Sequence, residues 1–158
     1  MDMLMFAALP ADWRAHYSLG PDDVGPVLLF TLWAVVLVLL LAMARMWAAI
    51  KHKRTFNTFK PTGDTETLDA FSRAHMNTVE NLPIFAVVHL SAAYLTDDPA
   101  IPILGMVVLA ARVLQSVMHI ASRSNAAVTV RAVLQFTQIV CFAWLGFIAL
   151  SQAPQVVY

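Results

Sequence analysis

Four apolar runs, each long enough to cross a bilayer, restrict this chain to one kind of fold. They cover residues about 27–50, 74–96, 101–121 and 128–151, and a spanning helix needs about 20 residues. The hydrocarbon core offers no hydrogen-bond partner to the backbone, so only helices and closed barrels cross it. Runs of this length predict an all-α integral membrane protein, built as a four-transmembrane-helix bundle.

The composition supports a lipid environment and divides the chain into three parts. Of the 158 residues, 59% are hydrophobic and 13% are charged, whereas soluble domains carry about a quarter charged residues. Net charge is zero, so no nucleic-acid partner is expected, and isolated histidines on separate helices predict no metal site. We expect an extracytoplasmic segment at 1–26, read as a loop from residue 10 onward because of its Pro and Gly residues, a membrane domain at 27–151 and a tail at 152–158.

Charge in the connections predicts the orientation. Five basic residues lie in the 51–73 loop, whereas the connection after the second run contains Asp97 and Asp98 and no base. Those five are Lys51, Lys53, Arg54, Lys60 and Arg73. The positive-inside rule then places the 51–73 loop in the cytoplasm. The expected localisation is a multi-pass membrane protein, in the inner membrane if the source is bacterial.

The second helix is expected to start before the membrane. Asp64 or Thr65 can act as its N-cap, after a glycine. Thirty residues of helix measure about 45 Å, which exceeds the hydrocarbon thickness. Its first turns therefore stand in the cytoplasm.

Three of the four runs carry a stripe of polar residues at helical spacing. The stripes are Arg73, Asn77 and Glu80 on the second run, Arg112, Gln115 and His119 on the third, and Arg131, Gln135 and Gln138 on the fourth. Charges inside a membrane cost about 2.5–3.5 kcal/mol each on insertion scales, so they persist where they face a partner or a cavity. All three stripes fall in the cytoplasmic half, which predicts a polar pocket with an excess of cations, suited to an anionic ligand.

Several alternatives remain open at this point. The stripes can instead satisfy one another and hold the bundle together. Glu80 can pair with Arg112 or hold a ligand amine, and Arg45 can extend to the headgroups or join the pocket. A transporter is disfavoured because a transport path needs polar residues through the whole membrane. In the leaflet away from the cytoplasm, His89 is the only such residue in the four runs.

The stretch "RAHMNTVENLPIF", residues 73–85, resembles the helix-two signature of the MAPEG family, the membrane-associated proteins in eicosanoid and glutathione metabolism. The likeness extends over residues 27–151 and includes an arginine late in helix three and another early in helix four. It implies a protein similar to the microsomal glutathione transferases, a homotrimer that binds glutathione as co-substrate between subunits at the cytoplasmic side.

The resemblance also implies roles for single residues. Asn77 and Glu80 would hold the peptide, with Glu80 on its ammonium group, and Arg73 and Arg112 would supply positive charge for its carboxylates. Arg131 matches the arginine near the thiol and is the expected catalytic residue. The polar stripes, rather than the resemblance, add Gln115, His119 and Gln135 as further expected glutathione-binding residues.

The implied function is a glutathione-dependent transferase or peroxidase that acts on lipophilic electrophiles or hydroperoxides by thiolate attack. A guanidinium near the sulfur favours the thiolate over the thiol. The chain departs from the family pattern at five positions, which argues against a specialised eicosanoid synthase: Met76, Gln115, His119, Ala132 and Gln135. The alternative is a non-catalytic MAPEG-like protein whose polar network is structural or binds another anion.

Overall fold

Long helices make up nearly all of the structure, a computed structural model that describes residues 19–60 and 63–156, with side chains as far as residue 153. The helices are α1 (Pro21–His52), α2 (Glu66–Leu95), α3 (Ala100–Ala121) and α4 (Asn125–Val156). A short 3-10 helix, Phe56–Thr58, lies between α1 and α2. All four α-helices are long and apolar enough to cross a membrane. The prediction of a four-helix, multi-pass membrane fold is therefore confirmed.

Helix α1 begins earlier than the sequence predicted. The prediction of a loop is wrong for residues 21–26, which form the first turns of α1. Pro21 stands at the first helical position, where its missing N–H is not needed. The backbone N–H of Gly20 donates to Oδ2 of Asp23 at 2.8 Å, which closes the helix start. Residues 1–18 of the expected extracytoplasmic segment lie outside the described residues.

The last helix also runs further than the predicted span. Helix α4 continues through residues 152–156, which the sequence assigned to the C-terminal tail; residues 157–158 are outside the described part. At its other end the hydroxyl Oγ of Ser124 accepts from the N–H of Ala127 at 3.2 Å. This side-chain cap starts α4 directly after the short connection 122–124.

The start of α2 agrees with the sequence. Thr65 is the N-cap, and its Oγ1 accepts from the N–H of Leu68 at 3.3 Å. The helix then runs without interruption to Leu95. Arg73 consequently lies in the third turn of α2.

Helices α2 and α3 form the centre of the bundle. Each packs against the other and against both α1 and α4. The connections 96–99 and 122–124 are short, so α2, α3 and α4 are successive antiparallel neighbours. This arrangement brings the polar stripes of the three helices to the same end of the bundle.

An apolar core adjoins the polar stripes, and Phe30 of this core lies beside Arg112. The ring of Phe85 lies 5.2 Å from Phe30 and 6.0 Å from Phe142, measured between centroids. Phe30, Phe85 and Leu145 are fully buried. Most other apolar side chains of the spans point outward, as expected for a surface that contacts lipid or another subunit.

A clamp closes the loop between α1 and α2. The guanidinium of Arg54 donates to both carboxylate oxygens of Asp64, at 2.6 and 3.2 Å, and lies 4.4 Å from the ring centroid of Phe59. The hydrogen bonds from Arg54 lower the pKa of the Asp64 carboxyl below its ordinary value. The basic loop is thus folded back on itself beside the start of α2.

Candidate functional site

A cleft of about 570 Å³ opens between α2, α3 and α4 at the polar end of the bundle. Among the described residues, its lining contains three arginines and no carboxylate. The lining residues are Arg73, Asn77, Gln115, His119, Arg123, Val128, Arg131, Ala132 and Gln135. Volumes of roughly 300–1,000 Å³ are typical of small-molecule sites. The three predicted stripes therefore do converge on one concave surface.

A second, smaller cleft of about 280 Å³ adjoins the first. It shares Arg73, Asn77 and His119 with the larger cleft and adds Met76 and Glu80. Arg73 and Glu80 are exposed. Glu80, the only carboxylate among the predicted site residues, thus lies in the smaller cleft beside the arginine-lined one. Three side chains line both clefts.

A chain of amide side chains connects the three helices behind the larger cleft. Nε2 of Gln115 donates to Oε1 of Gln135 at 3.2 Å, and Nε2 of Gln138 donates to Oε1 of Gln115, also at 3.2 Å. Nε2 of Gln135 donates to Oδ1 of Asn81 at 3.3 Å, and Nδ2 of Asn81 donates to the backbone oxygen of Asn77 at 2.8 Å. The network fixes the back wall of the cleft.

Arg131 is held at the mouth of the cleft by two contacts. Its Nε donates to the backbone oxygen of Ala127 at 3.2 Å. Its Nη1 lies 3.0 Å from Nδ1 of His119. No carboxylate among the described residues pairs with Arg131, so its charge is free to meet a ligand.

Arg112 lies behind the clefts and lines neither of them. It is 0% exposed, donates from Nη2 to Oε1 of Gln135 at 3.4 Å, and lies 5.8 Å from the ring centroid of Phe30. Within the part of the chain that the structure describes, its Nε and Nη1 have no hydrogen-bond partner and it forms no ion pair with Glu80. The sequence left two roles open for Glu80, an ion pair with Arg112 or a contact with a ligand amine. The single protomer does not show the ion pair.

Sequence reasoning missed two polar residues beside the site, Ser116, which contacts α1, and Asn81. Oγ of Ser116 accepts from Nε1 of Trp33 at 3.2 Å and lies 3.5 Å from Oγ1 of Thr78. Asn81 is the other, as the partner of Gln135. Each lies four residues after a predicted site residue, Asn77 or Arg112, so the same helical spacing could have identified both.

Arg123, in the connection after α3, is the third arginine of the larger cleft. Its Nη1 pairs with the carboxylate of Glu66 in the first turn of α2. Both side chains are largely exposed, so the pair adds little stability. It does bring the α3–α4 connection to the start of α2 and so narrows the cleft entrance.

Comparison with known proteins identifies the fold. The MAPEG family model matches residues 24–151, a segment that covers all four apolar spans except their outermost residues and includes every residue of both clefts. A comparison with curated proteins finds no match. Because the family model covers most of the sequence, the chain belongs to the MAPEG family.

Proposed function

We propose that this protein is a membrane-bound, glutathione-dependent transferase or peroxidase that acts on lipophilic electrophiles or hydroperoxides. The MAPEG family includes such enzymes together with non-catalytic members. The observation that carries the proposal is the larger cleft, which is lined by three arginines and no carboxylate. An anionic ligand is the natural occupant of such a surface.

Glutathione matches the distribution of charge over the two clefts. It has two carboxylates and one ammonium group, so it needs more cations than anions around it. Arg73 faces both clefts, and Glu80 lies only in the smaller one. We assign the carboxylates to the arginine-lined cleft, the ammonium to Glu80 and the peptide groups to Asn77. Arg112, behind the lining, contributes its charge and holds Gln135.

Arg131 is assigned to the thiol. A free cysteine thiol has a pKa of about 8.5, so little thiolate exists at neutral pH without help. A guanidinium near the sulfur raises the thiolate fraction. Attack on a carbon electrophile then forms a C–S bond, and either a leaving group such as halide departs with the electron pair of its bond or, in conjugate addition, the acceptor takes up the electron pair and a proton. Attack on a hydroperoxide breaks the O–O bond, and with one added proton yields an alcohol and a glutathione sulfenic acid.

Exposure of Glu80 supports a trimer. The side chain is exposed in the single protomer, and it lies about 10 Å along α2 beyond Arg73. A carboxylate that faced lipid at this depth would cost a few kcal/mol. A second copy of the chain packed against this face of α2 removes that cost. We therefore propose a homotrimer with the ligand site at the boundary between subunits, where a lipophilic substrate enters from the bilayer.

The site is proposed to face the cytoplasm. The positive-inside rule supports this, because the basic loop after α1 and the polar end of the bundle lie together. A cysteine at the exposed Asn57 in a Cys141→Ala background tests the orientation. It should be shielded from impermeant thiol reagents added outside intact cells, and labelling from outside would reverse the topology.

A second candidate is a non-catalytic family member. The amide network that joins Asn81, Gln115, Gln135 and Gln138 favours it, since these side chains already form hydrogen bonds with one another without a ligand. In that case the arginines would bind a different anion or none.

Titration calorimetry with glutathione on the detergent-solubilised protein tests the proposal, followed by turnover with a chromogenic electrophile and with an organic hydroperoxide. Saturable binding with turnover of either substrate is expected. Binding without turnover favours the non-catalytic candidate, and failure to bind glutathione overturns the proposal.

A further inference from the structure

We propose that His119 is the group that accepts the proton from the thiol of the ligand, in exchange for its contact with Arg131. This inference rests on the proposed glutathione-dependent function and assigns the proton step of that reaction to a side chain of this chain. It follows from the position of His119 between the two clefts and from the partner that occupies one of its ring nitrogens.

The contact with Arg131 defines the state of His119 in the free protein. A guanidinium only donates hydrogen bonds. Because Nη1 of Arg131 lies 3.0 Å from Nδ1 of His119, Nδ1 must be the acceptor. His119 is therefore neutral, with its proton on Nε2. The ring nitrogen that can take a proton is the one that Arg131 covers.

The ring is also within reach of a ligand. His119 lines both clefts and is half-buried, in the last turn of α3. A thiol placed beside Arg131 is consequently placed beside Nδ1 of His119 as well. The end of a helix favours a positive charge on a histidine there, so the imidazolium has a stabilising backbone environment.

Proton transfer and thiolate stabilisation then form a single exchange. The S–H bond of the thiol breaks, its proton forms a bond to Nδ1 of His119, and the electron pair stays on sulfur. Nη1 of Arg131, displaced from Nδ1, donates its hydrogen bond to the thiolate. No other reactant is needed. In the free protein Arg131 occupies the lone pair on Nδ1 of His119. The thiol of an arriving ligand competes with Arg131 for this lone pair.

Several charged groups surround His119, and bound glutathione changes their balance. Arg73 and Glu80 face it from α2, and Arg131 faces it from α4. Arg123 lines the same cleft and is paired with Glu66, whereas Arg112 lies behind on α3. In the free protein these cations oppose a further positive charge. Bound glutathione adds two carboxylates and the thiolate against a single ammonium group, so its net negative charge offsets these cations and allows His119 to hold the proton.

The proton on His119 also has a defined destination for one substrate class. When the thiolate attacks a hydroperoxide, the O–O bond breaks and an alkoxide leaves. Transfer of the proton from Nδ1 to that alkoxide gives the alcohol and restores neutral His119. Substitution at a carbon that bears a halide needs no such proton.

The unmodified protein supplies the first test. Glutathione binding is measured by calorimetry at pH 7 in two buffers of different ionisation enthalpy, together with the ultraviolet absorbance of the bound thiolate. Transfer to His119 predicts that thiolate forms while almost no proton reaches the buffer. Thiolate formation with about one proton released per glutathione would overturn the assignment.

The variant His119→Gln identifies the acceptor. Glutamine can still accept from Arg131 but cannot hold the proton. We expect glutathione affinity to change little, the bound thiolate to appear only at higher pH, and the rate at pH 7 to fall by roughly 10²-fold. Above the thiol pKa the rate should approach that of the wild type, a recovery that a purely structural defect would not give.

The matched control is His75→Gln, a half-buried histidine on α2 that lines neither cleft. Its thiolate titration should equal that of the wild type. An unchanged pH–rate profile in His119→Gln overturns the role of His119 and leaves the proposed function intact. Absence of glutathione binding in the wild type overturns the proposed function itself.

Discussion

Nε2 of His89 lies 2.7 Å from the backbone oxygen of Asp23 and joins the far end of α2 to the first turn of α1. The ring is 0% exposed and packs directly on Gly105 of α3. A Cβ at Gly105 would lie 2.5 Å from Cε1 of His89 and 2.8 Å from Cβ of Pro26. Three helices thus meet around one histidine, at the end of the bundle away from the clefts.

Gly105→Ala should destabilise the protein. Alanine improves helix propensity by about 1 kcal/mol, but the new methyl overlaps a buried ring and a proline, and overpacking costs about 1–3 kcal/mol. We expect a lower midpoint of thermal unfolding in detergent. Gly146→Ala is the control, because its nearest contact would be Cγ1 of Val88 at 4.0 Å. An equal or higher midpoint for Gly105→Ala than for Gly146→Ala would contradict the close packing.

The number of helices and the N-cap of α2 could be predicted from the sequence because both depend on local signals. Twenty apolar residues identify a span wherever it packs, and Thr65 needs only the backbone of its own helix. The start of α1 was misjudged because Pro21 and Gly25 were taken as loop residues. Pro21 is in fact compatible with the first helical position, and Asp23 caps the helix start by accepting from the N–H of Gly20.

The loop between α1 and α2 should loosen in acid. Arg54 lowers the folded-state pKa of Asp64, so the clamp stabilises the loop above the ordinary aspartate pKa of about 4. That contribution is lost as pH falls through the lowered value. A spin label on Asn57→Cys in a Cys141→Ala background should gain mobility over this range. With Asp64→Asn added, the label should be mobile at every pH. If its mobility still rises as the pH falls in that variant, the contact between Arg54 and Asp64 is not the cause.

The protein should assemble as three copies. Glu80 and Arg73 are exposed on one face of α2 in the single protomer, and burial against another subunit removes them from lipid. Native mass spectrometry in mild detergent should show the trimer as the main species. A stable monomer or dimer as the main species would contradict the proposed trimer and its site at the boundary between subunits.

Part of the site could also be predicted from the sequence. Helical spacing located three polar stripes, and seven of their members line the two clefts: Arg73, Asn77, Glu80, Gln115, His119, Arg131 and Gln135. Spacing does not give the rotation of a helix about its own axis. For that reason Arg112 could not be recognised as fully buried. Asn81, which joins the amide network, and Ser116, which contacts Trp33, lie at positions that the same spacing could have identified.

Glu80→Gln should weaken glutathione binding. If Glu80 holds the ammonium group, loss of a charged hydrogen bond worth about 1.5–3 kcal/mol lowers affinity by roughly tenfold or more. Stability should change little, because Glu80 forms no ion pair with a described residue. Calorimetry and thermal unfolding are measured together, with Asp97→Asn at the opposite end as the control. Unchanged affinity in a folded Glu80→Gln protein would remove Glu80 from the site.

Arg131→Leu should impair chemistry more than binding. Arg131 is half-buried at the cleft mouth and, among the described side chains, has His119 as its side-chain partner. Without its charge the bound thiol should deprotonate only at higher pH, and turnover at neutral pH should fall by roughly 10²-fold, since removal of one stabilising donor typically has an effect of this size. Arg131→Lys should recover part of the rate, because it keeps the charge and loses the planar fork.

The same measurements separate this role from a structural one. Arg45→Leu is the control, because Arg45 is half-buried on α1 and lines neither cleft. This variant also loses an arginine from the bundle but leaves the charge of the clefts unchanged. The readouts are ultraviolet thiolate absorbance against pH and the rate with a chromogenic electrophile. If Arg131→Leu folds, assembles and keeps the wild-type pH–rate profile, Arg131 does not stabilise the thiolate, and its contact with His119 serves only to hold α4 against α3.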